Sequence, residues 1–241
     1  FDGHPNNIGF FGTLGTAEAY DVIASADCIV AFGAWLHFLT TDRGKLVEGK
    51  RVVQVNKARS DIGKFYQPDV ALVADAGQTA DNILFWLNEA EIPASGFSRE
   101  LPTHDIARHP PGDPAQSDEG CINLEYALDR LNQALPQDRI MLTDGGRYIT
   151  EVWCRVQVPD PNSFHMTDNF AAIGQGMQQA IGAAHGEPSR PVVLFTGDGG
   201  FMMGGIGEFN TAVRTNRDLI VIICNDAAYG AEHIQMRDRQ M

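Results

Sequence analysis

Short apolar runs alternate along the chain with segments of helical periodicity. Unbroken apolar runs of this length are typical of strands that are covered on both faces, as in a parallel sheet. The predicted strands are 28–32, 51–55, 70–73, 139–143, 192–195 and 219–224. The predicted helices are 16–26, 75–91, 124–135, 170–184 and the segment between the last two strands. This alternation predicts an α/β fold with doubly wound parallel sheets, each in a three-layer α/β/α domain.

A proline-rich stretch divides this pattern into two domains. Residues 93–118 hold five prolines and little apolar periodicity, which is typical of a linker. We therefore expect one domain over residues 1–92 and a second over residues 119–241. The chain starts without methionine in a glycine loop and stops shortly after its last predicted strand. We interpret it as a fragment of a longer enzyme, with an incomplete first domain and a second domain truncated at its C-terminus.

The segment 191–230 carries the clearest chemical signal. It is predicted to run from a strand through a glycine turn into a helix and then into a second, parallel strand. Asp198 follows the first strand and Asn225 follows the second, so both side chains are expected at the edge where open α/β sheets bind ligands. Their oxygens suit Mg²⁺, which in proteins usually also contacts a phosphate.

Glycines next to Asp198 add a predicted anion site to this edge. Glycine lets the backbone approach an anion closely, and the start of the following helix offers free N–H groups. The four glycines are Gly199, Gly200, Gly204 and Gly205. Together with Asp198 and Asn225 they predict a site for a diphosphate chelated to Mg²⁺.

Two other interpretations of these residues remain open. The glycines can be simple turns with Asp198 as a helix N-cap, although one turn does not need four glycines. The GDG sequence at a strand end also resembles the late motif of the haloacid-dehalogenase phosphotransferases, which depend on magnesium. In that family Asn-Asp follows at once and an early Asp-x-Asp supplies the nucleophile, and this sequence has neither.

The motif residues resemble those of the thiamine diphosphate enzymes, such as acetolactate synthase, pyruvate decarboxylase and benzoylformate decarboxylase. Gly197-Asp198-Gly199 is followed after 27 residues (225 − 198) by Asn225-Asp226, close to the spacing in that family. Upstream, IGQG at 173–176 and AIGA at 180–183 resemble the glycine-rich helix that precedes the motif there.

The first domain resembles the middle domain of the same enzymes. GTLG at 12–15, ADCIVAFG at 26–33 and VQVN at 53–56 carry this resemblance. Some relatives bind FAD on this domain, with an arginine and an acidic run just after the position of Gly33. Here AWLH at 34–37 follows instead, so we do not expect FAD.

For the second domain the resemblance implies a cofactor site. The side chains of Asp198 and Asn225 and the carbonyl of Ala227 would ligate Mg²⁺. Ile173 stands where relatives place an apolar residue beneath the bent cofactor, although an ordinary core isoleucine fits as well. Relatives commonly have serine at the position of Gly200, so one hydroxyl contact would be lost. The residues expected around the cofactor are Gly146, Arg147, Gly197, Gly199, Gly200 and Tyr229.

The resemblance leaves the catalytic residues unassigned. In the family, the glutamate that activates the cofactor lies on a pyrimidine-binding domain of a partner subunit, and we expect that domain to be absent from this chain. Glu232 and His233 follow the motif on the expected substrate side and are candidate acid–base groups.

The implied function is that of the magnesium- and thiamine diphosphate-binding part of a decarboxylase or carboligase. Such an enzyme acts on a 2-oxo acid or an aldehyde, is a lyase or a transferase, and works as a homodimer or homotetramer. The fragment by itself is expected to be inactive. The alternative is a non-catalytic cofactor-binding module of the same fold.

Composition narrows the partners and the compartment. The net charge of −13, from 18 basic and 31 acidic residues, disfavours nucleic acid as a partner. No apolar run approaches the roughly 20 residues of a membrane helix, and the N-terminus has no signal-peptide pattern. Four widely spaced cysteines predict reduced thiols and a cytoplasmic location, with Cys28 and Cys224 packed inside strands. The seven histidines show no metal-ligand spacing.

Overall fold

The chain folds into two compact units, Phe1–His109 and Pro110–Met241. A computed structural model describes residues 4–99, 101–102, 105–167 and 172–239. Each unit contains one parallel β-sheet with helices attached to it, which confirms the predicted α/β class. The division between the units falls inside the proline-rich stretch 93–118.

The first unit is built on a three-stranded parallel sheet of order β1-β2-β3. Its strands are β1 (Cys28–Phe32), β2 (Arg51–Asn56) and β3 (Val70–Val73), and its helices are α1 (Ala17–Ser25) and α2 (Ala76–Glu89). Both helices begin at caps: Thr16 accepts a hydrogen bond from the amide of Ala19, and Asp75 accepts from those of Gly77 and Gln78. Capping of this kind is why these polar residues mark the helix starts in the sequence.

The packing of the first unit differs from the prediction on one helix and one strand. The core under the sheet contains Val47 and Val52, both fully buried. The periodicity of α2 predicts a packed apolar face, but Thr79 is its only buried residue, and Leu84 is 59% exposed. Cys28, predicted to be packed, is also exposed, because it lies on the same face of β1 as Val30 and Phe32, which are exposed too.

The second unit is built on a four-stranded parallel sheet of order β5-β4-β6-β7. Its strands are β4 (Ile140–Thr143), β5 (Phe164–Met166), β6 (Val192–Gly197) and β7 (Leu219–Cys224). Its helices include α3 (Leu124–Ala134), α4 (Ile149–Arg155), α5 (Gly176–Gly186) and α8 (Gly230–Asp238). After β6 the chain is helical without a break from residue 198 to residue 215. This stretch consists of α6 (Asp198–Gly200), a π-helical segment (Phe201–Gly205) and α7 (Ile206–Thr215).

Strand β6 is buried on both faces, as its apolar run predicts. Val193 and Phe195 pack against α3 and α4 residues on one side, while Val192 and Leu194 pack against α5 on the other. Two helical layers therefore enclose the sheet, and the carboxyl ends of β4, β6 and β7 are held side by side by parallel pairing.

Several local predictions for the second unit are wrong. No glycine turn separates β6 from the next helix, because α6 begins at Asp198, directly after the strand. The continuous helix 198–215, called here the motif helix, buries Ala212 but leaves Phe209 and Val213 exposed, although helical spacing puts all three on one face. Strand β5 and helices α4 and α8 are not predicted from the sequence.

The predicted helix 170–184 is shorter than expected. Helix α5 begins only at Gly176, after a turn in which Gly174 has a φ of +85°. Residues 170 and 171 lie outside the described residues. Ile173 and Gly174 are therefore loop residues in front of the helix rather than part of it.

Across the described ranges, none of the helices has the length and apolar character needed to span a membrane.

Candidate functional site

Asp198 and Asn225 lie next to each other at the carboxyl edge of the second sheet. In the β6–β7 ladder Gly197 pairs with Cys224, so Asp198 and Asn225 are the next residues of two adjacent strands. Neighbouring strands are about 4.8 Å apart. The register thus brings together the two residues that the sequence predicts as metal ligands.

The Asp198 carboxylate has no protein partner within the described part of the chain. It is half-buried, and neither a hydrogen bond nor an ion pair to another described residue reaches it. The N-cap of α6 is Gly197, with no capping by a side chain, so the interpretation of Asp198 as an N-cap is wrong. A half-buried carboxylate without a partner is available for a cation, and its position in the first helical turn is electrostatically favourable.

The loop after β7 is held in an unusual conformation. Asn225 Oδ1 accepts a hydrogen bond from the Ala227 amide at 2.9 Å, and Asp226 Oδ1 accepts one from Ala228 at 3.2 Å. Ala227 has a φ of +55°, a left-handed conformation that costs a residue with a Cβ about 1–2 kcal/mol. Strain of this kind is concentrated at functional sites.

The glycines of the motif helix are packed against protein groups. A Cβ at Gly199 would lie 2.6 Å from Cε1 of Tyr229, and one at Gly204 would lie 2.1 Å from the carbonyl oxygen of Gly174. A Cβ at Gly200 would lie 2.7 Å from Oδ2 of Asp144. Close approach does require glycine at these positions, but in this structure the approaching atoms belong to the protein.

Asp144, directly after β4, is a buried carboxylate to which the sequence alone assigns no role. Its side chain accepts four hydrogen bonds, and it is 2% exposed. Oδ1 accepts from the amide of Gly145 at 2.9 Å and from Oγ1 of Thr167 at 3.1 Å. Oδ2 accepts from the amide of Gly174 at 2.8 Å and from Oγ1 of Thr196 at 3.3 Å. This single side chain connects segments that follow β4 and β5 with β6 and with the turn before α5.

Tyr148 reinforces the same edge from the other face of the sheet. Its hydroxyl lies 2.6 Å from the carbonyl oxygen of Asp144 and 3.0 Å from that of Phe195, so it joins the ends of β4 and β6. Burial, with the nearby Asp144 as a smaller cause, raises the pKa of Tyr148 well above its usual range. The phenol therefore stays protonated and acts as a donor.

The remaining predicted cofactor residues surround this edge. Ile173 Cγ2 would lie 3.2 Å from a Cβ at Gly145, so the isoleucine covers the loop after β4. Gly146 has a φ of +153° and lies under the ring of Tyr148. Arg147 is exposed, with no ion pair or hydrogen bond to any described residue.

The two candidate acid–base groups are surface residues of α8. Glu232 and His233 are both exposed, and the backbone amide of His233 donates to the carbonyl of Tyr229 as part of the first helical turn. Neither side chain is hydrogen-bonded to another described side chain.

Cys224 is the last residue of β7, directly before the predicted ligand Asn225. Burial raises the pKa of its thiol to about 11, with Asp226 as a smaller cause. Cys224 is therefore a protonated thiol.

Comparison with protein families decides the assignment. Residues 144–241 match the C-terminal TPP-binding domain of thiamine pyrophosphate enzymes, and residues 1–83 match the central domain of the same enzymes. The chain belongs to the thiamine pyrophosphate enzyme family. It contains the family's central and C-terminal domains, as the resemblance implies, and the cofactor named in the match is thiamine diphosphate under its other name.

The relatives of this chain carry different reactions in their names. The large subunit of acetolactate synthase isozyme 1 from Escherichia coli is 27% identical over 96% of the chain. The "Probable 2-ketoarginine decarboxylase AruI" of Pseudomonas aeruginosa is 28% identical over 97%. The 3D-(3,5/4)-trihydroxycyclohexane-1,2-dione hydrolase of Halalkalibacterium halodurans is 22% identical over 96%. The chain spans 40% of the length of each of these relatives.

The residues at the edge fit the group that the family implies. Asp198, Asn225 and the Ala227 carbonyl are oxygen donors, the type that Mg²⁺ prefers. No group of three or more His, Cys, Asp or Glu that could hold a metal ion occurs among the described residues, and the candidate ligand set contains only one carboxylate. The amides of Gly199 and Gly200 lie in the first turn of a helix and so lack intrahelical acceptors. The donor set therefore suits a hard cation next to an anion.

Proposed function

We propose that this chain forms the magnesium- and thiamine diphosphate-binding part of an enzyme that decarboxylates 2-oxo acids, ligates carbonyl compounds, or does both. The observation that carries the proposal is the half-buried Asp198 carboxylate, unpaired among the described residues, beside Asn225 at the start of the motif helix. The family assignment supports thiamine diphosphate as the cofactor. The same assignment disfavours the alternative of a magnesium-dependent phosphotransferase.

We assign the metal to three oxygen donors of the second unit. The Asp198 carboxylate supplies the negative charge, and the Asn225 side chain and the Ala227 carbonyl supply neutral oxygens. The left-handed backbone at Ala227 and the hydrogen bond from its amide to Asn225 Oδ1 fix the loop that carries two of the donors. A donor set fixed in advance loses less entropy on binding a cation.

We assign the diphosphate to backbone amides and one arginine. The N–H groups of Gly199 and Gly200 stand at the positive end of the motif helix, a favourable place for an anion. Gly197 leads the strand into this turn, and Tyr229 flanks Gly199. Arg147, next to Gly146, has a guanidinium that forms no ion pair with a described residue and can bind phosphate oxygens.

The apolar residue Ile173 is assigned to the cofactor's underside. Its restricted side chain covers the loop after β4, and Gly174 behind it is anchored by Asp144. When bound, thiamine diphosphate supplies a carbanion that adds to carbonyl carbon and then serves as an electron sink. We place the activating glutamate on a pyrimidine-binding domain of a partner subunit in a homodimer or homotetramer.

The proposed substrates are 2-oxo acids or aldehydes, the carbonyl compounds on which this cofactor acts. The named relatives include a synthase, a decarboxylase and a hydrolase, so they support carbonyl chemistry in general rather than one substrate. The four free cysteines are compatible with the reducing cytoplasm that we propose as the compartment.

The metal assignment is tested by one pair of variants. Asp198→Asn removes the charge of the proposed ligand. The control Asp218→Asn removes the same charge from an exposed side chain just before β7, at the opposite end of the strand from the ligands. In calorimetric titrations of thiamine diphosphate with Mg²⁺, we expect at least about tenfold weaker binding for Asp198→Asn, or about 1.4 kcal/mol. We expect less than about threefold weakening for Asp218→Asn. Equal affinities of Asp198→Asn and the unmodified chain would refute the assignment.

A further inference from the structure

Asp144 is a carboxylate that the proposed chemistry does not use. It is buried at the carboxyl edge of the second sheet, and no lysine, arginine or histidine among the described residues forms an ion pair with it. A buried carboxylate destabilises the fold unless its oxygens are hydrogen-bonded. Its four donors are two backbone amides and two hydroxyls, all neutral. The geometry of these donors is therefore fixed by one side chain.

One oxygen of Asp144 holds the turn that carries Ile173. Oδ2 accepts from the amide of Gly174 at 2.8 Å, and Gly174 has the left-handed backbone that lets the chain turn into α5. Gly176 packs on the same side chain, since a Cβ there would lie 2.8 Å from Cβ of Asp144. The position of Ile173, directly before this amide, is thereby tied to the carboxylate.

The same oxygen also supports the first turn of the motif helix. Gly200 packs so closely that a Cβ would lie 2.7 Å from Oδ2, and Thr196 in β6 donates to this oxygen at 3.3 Å. The turn with Ile173 and the turn with the Gly199 and Gly200 amides are therefore both held against one atom, Oδ2 of Asp144. We assign the first turn to the underside of the cofactor and the second to its diphosphate.

We propose that Asp144 is a positioning residue for the cofactor: it sets the relative placement of the Ile173 turn and the motif-helix turn without contacting the cofactor itself. The proposal rests on the proposed function, because it concerns the same site. It adds a residue to which neither the motif nor the family resemblance gives a role.

Asp144→Asn tests this role with almost no change in shape. Each carboxylate oxygen accepts one backbone N–H, from Gly145 or from Gly174. An asparagine has only one acceptor oxygen, so one of these amides must face an NH₂ group. We expect about tenfold weaker binding of thiamine diphosphate with Mg²⁺, measured by calorimetry on folded protein. We also expect faster hydrogen exchange of the Gly174 or Gly145 amide in the cofactor-free chain.

A control variant that lowers stability at a distance from the site separates an effect on cofactor positioning from an effect on folding. Val152→Ala removes buried volume from α4, in the core rather than at the edge, and is expected to lower stability while leaving cofactor affinity within about twofold. Equal affinities of Asp144→Asn and the unmodified chain would overturn the role of Asp144. So would equal losses of affinity in Asp144→Asn and Val152→Ala. If Asp144→Asn does not fold, Thr196→Val replaces it, with about threefold weaker binding expected and unchanged binding contradicting the proposal.

The two proposals fail in different ways. Absence of magnesium-dependent binding in the unmodified chain overturns the proposed function, and the role of Asp144 with it. Normal binding in the unmodified chain together with normal binding in Asp144→Asn overturns the role of Asp144 alone.

Discussion

Gly200 illustrates how the function of a single residue depends on a contact that is distant in the sequence. The resemblance explains this position as a lost serine hydroxyl. The structure gives a packing reason for glycine here, because a Cβ would lie 2.7 Å from Oδ2 of Asp144, whose position is fixed by four hydrogen bonds. The carboxylate cannot move away without breaking them.

Gly200→Ser is therefore expected to destabilise the chain rather than restore a useful contact. Overpacking at a rigid site costs about 1–3 kcal/mol, and urea unfolding measures it. Gly207→Ser is the matched control, since Gly207 lies in the same helix with no atom within 4 Å of its Cβ position. That variant is expected to be as stable as the parent or slightly more stable, because serine favours helix over glycine. Equal stability of the two serine variants would contradict the packing argument.

Asp144 shows why part of the site could not be predicted from the sequence. The positions of Asp198 and Asn225 follow from the strand pattern alone, because parallel strands place their carboxyl ends at one edge. The donors to Asp144 lie between one and 52 residues away in the chain, in a strand, two loops and a turn. No periodicity or motif encodes such a set, since it arises only after the sheet has formed.

At the level of elements, strands with unbroken apolar runs were predictable and short or polar elements were not. Strands β1, β3 and β7 match their predicted bounds. β1 and β7 are apolar runs bounded at both ends by polar residues or glycine, and β3 begins directly after Asp69. Strand β5 has three residues, one of them histidine, and lies at the edge of the described sheet, where it pairs with β4. The motif helix starts inside a glycine cluster, where local propensity disfavours helix but packing against β6 and α5 overrides it.

The loop after β7 carries strain that a substitution can release. Ala227→Gly removes the Cβ from a left-handed residue, which is worth about 1–2 kcal/mol, and loses about 0.5–1 kcal/mol through the greater freedom of the unfolded chain. We expect a net gain of up to about 1.5 kcal/mol in the free energy of unfolding, measured by urea titration.

The neighbouring residue provides the control for this prediction. Ala228 is not left-handed, so Ala228→Gly is expected to lose about 0.5–1 kcal/mol. A loss of stability in Ala227→Gly as large as that in Ala228→Gly would show that the backbone at Ala227 carries no strain.

On the scale of the whole molecule, acidic residues govern how the first unit responds to pH. The pKa values of Asp42, Asp69 and Asp75 lie below the usual 3.8. The main causes are hydrogen bonds from Lys45 to Asp42, from the Val52 amide to Asp69 and from the Gln78 amide to Asp75. A depressed folded-state pKa means that the stabilisation is present above pH 3.8 and is lost as the pH falls through the lower, folded-state value.

Acid unfolding followed by circular dichroism tests this assignment. The unmodified chain is expected to lose stability below about pH 4, and Asp69→Asn is expected to lose less over the same range because one titrating group is gone. Parallel stability curves for the two proteins between about pH 5 and pH 3 would contradict a contribution from Asp69.

The central claim is that the carboxyl edge of the second sheet binds thiamine diphosphate through Mg²⁺. The most direct test is a calorimetric titration of thiamine diphosphate into the chain, once with Mg²⁺ and once with EDTA. The account predicts saturable binding with Mg²⁺ and at least about tenfold weaker binding with EDTA, a difference of about 1.4 kcal/mol or more. Absence of binding in Mg²⁺, or equal binding in both solutions, would contradict it.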